Sequence, residues 1–284
     1  MKFDNDFKEI KIRHIVSMFL IILVISIVII MLLNSKGEIS SIDENILSLF
    51  IEILFAFIIL FKLRISKKSV KLLYKDLKSN LNIKEIAWIL LFITCLEIGS
   101  SNILTDITYI ISPSLANWFI NDSSSTINSM IDYWIVLIPA VFLAPFTDEI
   151  IFRNVLFKRL SKKFNIYIGL IVSSIIYLSI NLGSEMIGFF LLGIVNCMLY
   201  VKYENLLMPM IINCIDSAIS MIKFALLGQF GNDAIVLTSN DIILYAISGG
   251  ILFIIGIIFF AKFIKKNKIY LREVHNKSKA LKIN

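Results

Sequence analysis

Histidine, cysteine and proline are scarce: the 284 residues include two histidines, three cysteines and four prolines. Cys95, Cys197 and Cys214 all lie inside apolar runs, which excludes a disulfide framework or a paired-cysteine metal motif and leaves them as small core hydrophobes. His14 stands at the edge of the first apolar run and His275 in the C-terminal tail. Neither is spaced for a metal site, so no metal and no cofactor is expected. Charged residues are sparse as well, at 17% of the chain. No internal repeat, low-complexity tract or soluble domain of useful size is visible.

What the chain has in excess is apolar side chains, at 58% of all residues. That proportion, with so few prolines, excludes an ordinary soluble fold and points to an all-α, polytopic membrane protein. The net charge of +7 sits in short clusters between apolar runs. Such clustering encodes membrane orientation and argues against nucleic acid as a partner. The partners expected are the lipid bilayer and ligands met within it.

The runs predict about eight transmembrane helices. They cover about Ile15–Leu33, Ile46–Phe61, Ile86–Leu104, a fourth from Tyr133 to the basic cluster at Lys158, then Ile166–Leu182, Ile187–Val201, Leu206–Ile222 and Ile242–Phe263. The first lacks a small-residue cleavage site and reads as a retained span. Basic clusters follow the second and fourth spans and form the tail from Lys265, whereas the loop at 105–131 carries acids and no Lys or Arg. Positive residues stay on the cytoplasmic side, so both termini are expected there. The whole of 1–284 reads as a single helical membrane domain.

Ionisable and amide side chains inside these runs are costly in hydrocarbon, from about 2.5 kcal/mol upward for a charge, and so mark sites. Asp148, Glu149 and Arg153 lie on the fourth run. Glu149 and Arg153 are four apart, the favourable order for an ion pair on one helix face, and Asp148 points about 100° away. Tyr177 and Asn181 share a face of the fifth run, and Asn213, Asp216 and Ser217 lie together on the seventh. Counted from the helix ends, these groups reach comparable depths and are expected to meet in one cavity. Glu52 and Glu97 are further acids within spans. Pro139 and Pro145 are expected to kink the fourth helix and leave carbonyls unpaired before the acids.

The order Asp148, Glu149, Ile150, Ile151, Phe152, Arg153, then Tyr177 with Asn181, then Gly193, then Leu207, Met208, Pro209 with Asn213 and Asp216 resembles the CPBP family. That family comprises the CAAX proteases and bacteriocin-processing enzymes, also called Abi proteins, and the likeness covers a core at 133–222. The resemblance implies an intramembrane endopeptidase in which the first glutamate of a Glu-Glu-x-x-x-Arg motif and a second-motif histidine activate water. A third motif, led by another histidine, holds the oxyanion. Here Asp148 replaces the first glutamate, Tyr177 a phenylalanine, and Asn181 and Asn213 both histidines; Glu149 and Arg153 are retained.

A carboxamide does not accept a proton near pH 7, so Asn181 can orient a water without deprotonating it. A lost general base costs about 10²–10⁴ in rate. Asn213 keeps a donor for an oxyanion. The leading expectation is therefore a catalytically degenerate, bacterial plasma-membrane relative. It would bind a hydrophobic or lipidated peptide, or another membrane protein, as a regulator, scaffold or bacteriocin-immunity protein. Catalytic motif positions are Asp148, Glu149, Arg153, Asn181 and Asn213; binding positions are Tyr177, Asp216, Ser217 and Glu97. Two alternatives stay open: an active endopeptidase using Asp148 or Glu149, and a carrier or channel built on Glu52 and Glu97. The topology is tested by fusing a reporter to the C-terminus. Green fluorescent protein is expected to fluoresce there and alkaline phosphatase to be inactive; the reverse pattern would overturn it.

Overall fold

The computed structural model describes residues 41–63, 67–122, 127–181, 183, 185–226 and 237–283, with isolated positions between 13 and 31. The described chain is helical. In order, α1 is Ser41–Leu63, α2 Lys67–Asn80, α3 Ile83–Ile111, α4 Pro113–Asp122, α5 Met130–Lys163, α6 Ile166–Ile180, α7 Met186–Tyr203, α8 Leu207–Leu226 and α9 Ser239–Ile283. Six of these, α1, α3, α5, α7, α8 and α9, are long and apolar enough to cross a membrane. The protein is a polytopic all-α membrane protein. The first span expected from sequence lies largely outside the described residues.

Local chemistry explains where several helices begin. Asn82 caps α3 by accepting from the Glu85 amide at 3.2 Å, and Asn165 caps α6 by accepting from the Ile168 amide at 2.9 Å. At the start of α5, the Ser129 hydroxyl accepts from the Asp132 amide and donates to the Asp132 carboxylate at 2.8 Å. Asp132 is fully buried and also accepts from Asn45 Nδ2 at 3.0 Å, which ties α1 to α5. Between α7 and α8, Glu204 adopts the left-handed region at φ 49°. The turn is pinned by buried Asn205, which accepts from the Leu207 amide and donates to the Leu73 carbonyl of α2.

Several boundaries differ from those the sequence predicts. The basic loop after the second span is the amphipathic helix α2, which buries Leu73 and Leu77 and exposes Leu72 and Tyr74. The loop expected at 105–131 holds the end of α3 and the short helix α4. Charge hid the first and Pro113 the second, since proline is favoured in a helix's first turn. α6 ends at Ile180, so its 15 residues rise only about 22 Å, short of a hydrocarbon core of roughly 30 Å. The basic tail continues α9 to Ile283, bringing His275 against the Tyr167 ring at 5.4 Å rather than leaving it on the surface.

α7 is the centre: an unbroken buried stretch from Leu191 to Val201 packs against α3, α6, α8 and α9. α3 and α9 make the most extensive helix pair. Bilayer lipid is as apolar as leucine, so close packing has to hold such pairs together, and small residues allow it. A Cβ on Gly99 would stand 2.5 Å from the Phe253 backbone nitrogen. A Cβ on Gly250, by contrast, would meet nothing within 4 Å. Gly99→Ala is therefore expected to destabilise the protein by about 1–3 kcal/mol, and Gly250→Ala to leave it unchanged. Thermal unfolding in one detergent checks both, and equal effects would refute the account of this contact.

Candidate functional site

α5 passes both prolines without stopping. It does so through two wider-wound π-helical stretches, Pro139–Leu143 and Ile150–Phe157, which flank the acids. Such turns often accompany functional sites because they redirect side chains within a continuous helix. The Thr147 hydroxyl donates to the Leu143 and Ala144 carbonyls, each at 3.0 Å, the back-bond of a threonine within a helix. The expected proline disturbance takes the form of re-wound turns within a continuous helix.

At the junction of the second stretch, Glu149 and Arg153 form the ion pair the sequence predicts, with Arg153 Nε 3.0 Å from Glu149 Oε2. Both side chains are at least 99% buried. The second carboxylate oxygen, Oε1, accepts from Asn213 Nδ2 of α8 at 2.9 Å and from Asn196 Nδ2 of α7 at 3.1 Å. The guanidinium carbon lies 4.7 Å from the centre of the Tyr177 ring of α6. Tyr177 in turn reaches Asn213, its hydroxyl donating to Oδ1 at 3.4 Å, and stacks edge-on against Phe152 at 5.0 Å. Four helices therefore converge on one buried charge pair. The guanidinium nitrogens make no hydrogen bond among the described residues, and the group lies over the Tyr177 ring with the Phe152 ring at 5.9 Å.

The predicted site residues divide. Glu149, Arg153, Tyr177 and Asn213 come together. Asp148 is half-buried, makes no hydrogen bond among the described residues, and lies within electrostatic reach of Glu149, Arg153 and Glu52 of α1. Asn181 does not join the cluster through a hydrogen bond: it ends α6, and its Nδ2 donates to the Tyr177 carbonyl at 2.9 Å. Ser217 is half-buried, with no hydrogen bond among the described residues.

Asp216 turns away from Asn213 toward Glu97 of α3, and the two buried carboxyls lie within electrostatic reach of each other. The approach depends on Gly188, where a Cβ would stand 2.4 Å from Glu97 Cγ. Beside them, Lys223 pairs with Glu185 at 3.0 Å.

Asn196 is the residue that sequence reasoning missed. It is a fully buried amide in the most buried of the candidate spans, and its isolation in an apolar run was its only signal. No group of three or more His, Cys, Asp or Glu side chains able to hold a metal ion occurs among the described residues. What the cluster offers chemically is a fixed carboxylate, two amide donors and a stacked guanidinium, a hydrogen-bonding surface with no imidazole to carry a proton.

Residues 130–219 match the model of a family described as Rce1-like, type II CAAX prenyl endopeptidase Rce1-like. No curated protein and no solved structure matches the chain. The matched stretch holds the whole Glu149 cluster and leaves Glu52 and Glu97 outside. Removing one partner of a buried pair strands the other charge, so Arg153→Met is expected to cost about 3–5 kcal/mol, with part recovered on adding Glu149→Gln. Asn196→Leu should cost about 1–3 kcal/mol by unpairing the carboxylate. Chemical denaturation in mixed micelles measures all three, and near-neutral single variants would contradict the geometry.

Proposed function

We propose that this membrane protein, whose residues 130–219 match the CAAX protease-like family model, retains the family's polar site as a binding centre that does not hydrolyse peptides. The observation that carries the reading is what the two asparagines at the motif histidine positions do. Asn213 is spent holding Glu149 and receiving Tyr177, and Asn181 caps its own helix. Neither can take a proton from water. Glu149 is engaged on both oxygens by Arg153, Asn196 and Asn213, so its charge holds helices together rather than activating a nucleophile.

The site's neighbours favour a particular ligand. It sits inside a bundle whose outer faces are apolar, for example Trp134, Ile138 and Phe142 along α5, each more than half exposed. A ligand reaching it from the bilayer brings its own hydrophobic anchor, which selects a hydrophobic or lipidated peptide, free or as part of a membrane partner. Regulation, scaffolding or immunity to a bacteriocin in a bacterial plasma membrane are roles such binding would serve.

The test uses the full chain in nanodiscs with a farnesylated C-terminal peptide and its unlipidated counterpart. Saturable binding of the farnesylated peptide is expected, with the peptide recovered intact by mass spectrometry. Cleavage products that vanish in an Asp148→Asn variant would replace this reading with that of an active endopeptidase.

A further inference from the structure

Away from the Glu149 cluster, a cavity of about 310 Å³ opens between the start of α3 and the middle of α9. Lys84 of α3 and Lys262 and Lys266 of α9 line it, together with Glu85 and Trp88. The three lysines are exposed, and among the described residues none has a carboxylate within ion-pair distance. The acid at the cavity is already matched. Glu85 accepts from Lys202 Nζ at 2.5 and 2.6 Å and from the Tyr203 hydroxyl at 2.6 Å, although Lys266 also lies within its electrostatic reach. The cavity therefore presents cationic donors lacking an anion.

Its depth in the bilayer follows from the sequence. The apolar run of α3 begins just after Lys84 and Glu85, and that of α9 ends just before Lys262, so the cavity straddles the boundary between headgroups and hydrocarbon. Trp88, 40% exposed, stands at that boundary with its ring 4.3 Å from the Phe259 ring, as interfacial tryptophans do. Lys262 Nζ lies over the same Phe259 ring at 5.3 Å, laying its stem along apolar surface with its charge toward the headgroup level. Two turns deeper on the same helix stripes, Leu91 and Ile255 are exposed at 53% and 38%, giving acyl chains a surface to follow.

We propose that this cavity between α3 and α9 binds the phosphate of an anionic phospholipid through Lys84, Lys262 and Lys266, with the acyl chains lying over Trp88, Leu91 and Ile255. The shared chemistry is that of a phosphate; the apolar stripe below it assigns the source to a lipid and not to free phosphate.

The experiment delipidates the full chain in detergent and offers equal amounts of phosphatidylglycerol and phosphatidylcholine. Bound lipid is then counted by native mass spectrometry. Phosphatidylglycerol is expected to be retained preferentially, and the triple variant Lys84→Gln, Lys262→Gln, Lys266→Gln to lose roughly tenfold or more of that retention. Changing Lys71, Lys75 and Lys78 of α2 to Gln should leave retention within about twofold. Should the triple variant fail to fold, Lys84→Gln and Lys266→Gln alone should each show part of the loss. Equal retention of both lipids, equal loss from the α2 variant, or no loss in any cavity variant would overturn the proposal. Displacement of the phosphatidylglycerol by excess inorganic phosphate would overturn it in favour of a free-phosphate site.

Discussion

One buried ion pair governs the arrangement of this protein. Glu149 and Arg153 stand almost fully out of solvent, where each charge alone would be costly, and their attraction offsets that cost only if the remaining lone pairs and protons find partners. For the carboxylate those partners come from other helices, Asn196 from α7 and Asn213 from α8, while the guanidinium lies over the ring of Tyr177 from α6. Each requirement of the pair thus becomes a constraint on where a helix stands. In a bilayer, where burial of leucine against leucine gives helices no reason to associate, such directional contacts carry the specificity.

Close approach is the second condition. Gly193 of α7 closely faces Ser174 of α6, since a Cβ there would lie 3.0 Å from the serine Cβ, tighter than an ordinary contact. Gly99 does the same between α3 and α9, and Gly188 admits Glu97 to the carboxyl pair with Asp216. The π-helical turns of α5 complete the arrangement by carrying the helix through Pro139 and Pro145, with Glu149 at the start of the second turn.

The part of the site that lies on one helix was legible in the sequence, because a spacing of four residues fixes Glu149 over Arg153 whatever surrounds them. Tyr177 and Asn213 were legible through ordered motifs on separate helices. Asn196 was not, because a lone amide in an apolar run says nothing about which helix it faces. Asn181 was read as sharing a face with Tyr177, but a helix that stops at Ile180 turns its amide back on its own backbone. Asp216 shares a helix with Asn213 yet points about 60° aside, enough to choose Glu97 over Glu149. The amphipathic α2 read as a loop because its lysines outnumber its two buried leucines.

Asn213, at the position where the resemblance expects an oxyanion-holding histidine, instead donates to the Glu149 carboxylate at 2.9 Å and holds it still. That contact links the fold to the proposed function of binding without reaction, because the residues that hold four helices together are the ones the proposal assigns to the site. The most direct measurement is a double-mutant cycle between Glu149→Gln and Asn213→Leu, read by unfolding free energy in one detergent. A coupling of about 1–3 kcal/mol between the two positions is the result expected for a buried, charge-assisted hydrogen bond. Strict additivity would mean that Asn213 does not hold Glu149, and the account would fall with it.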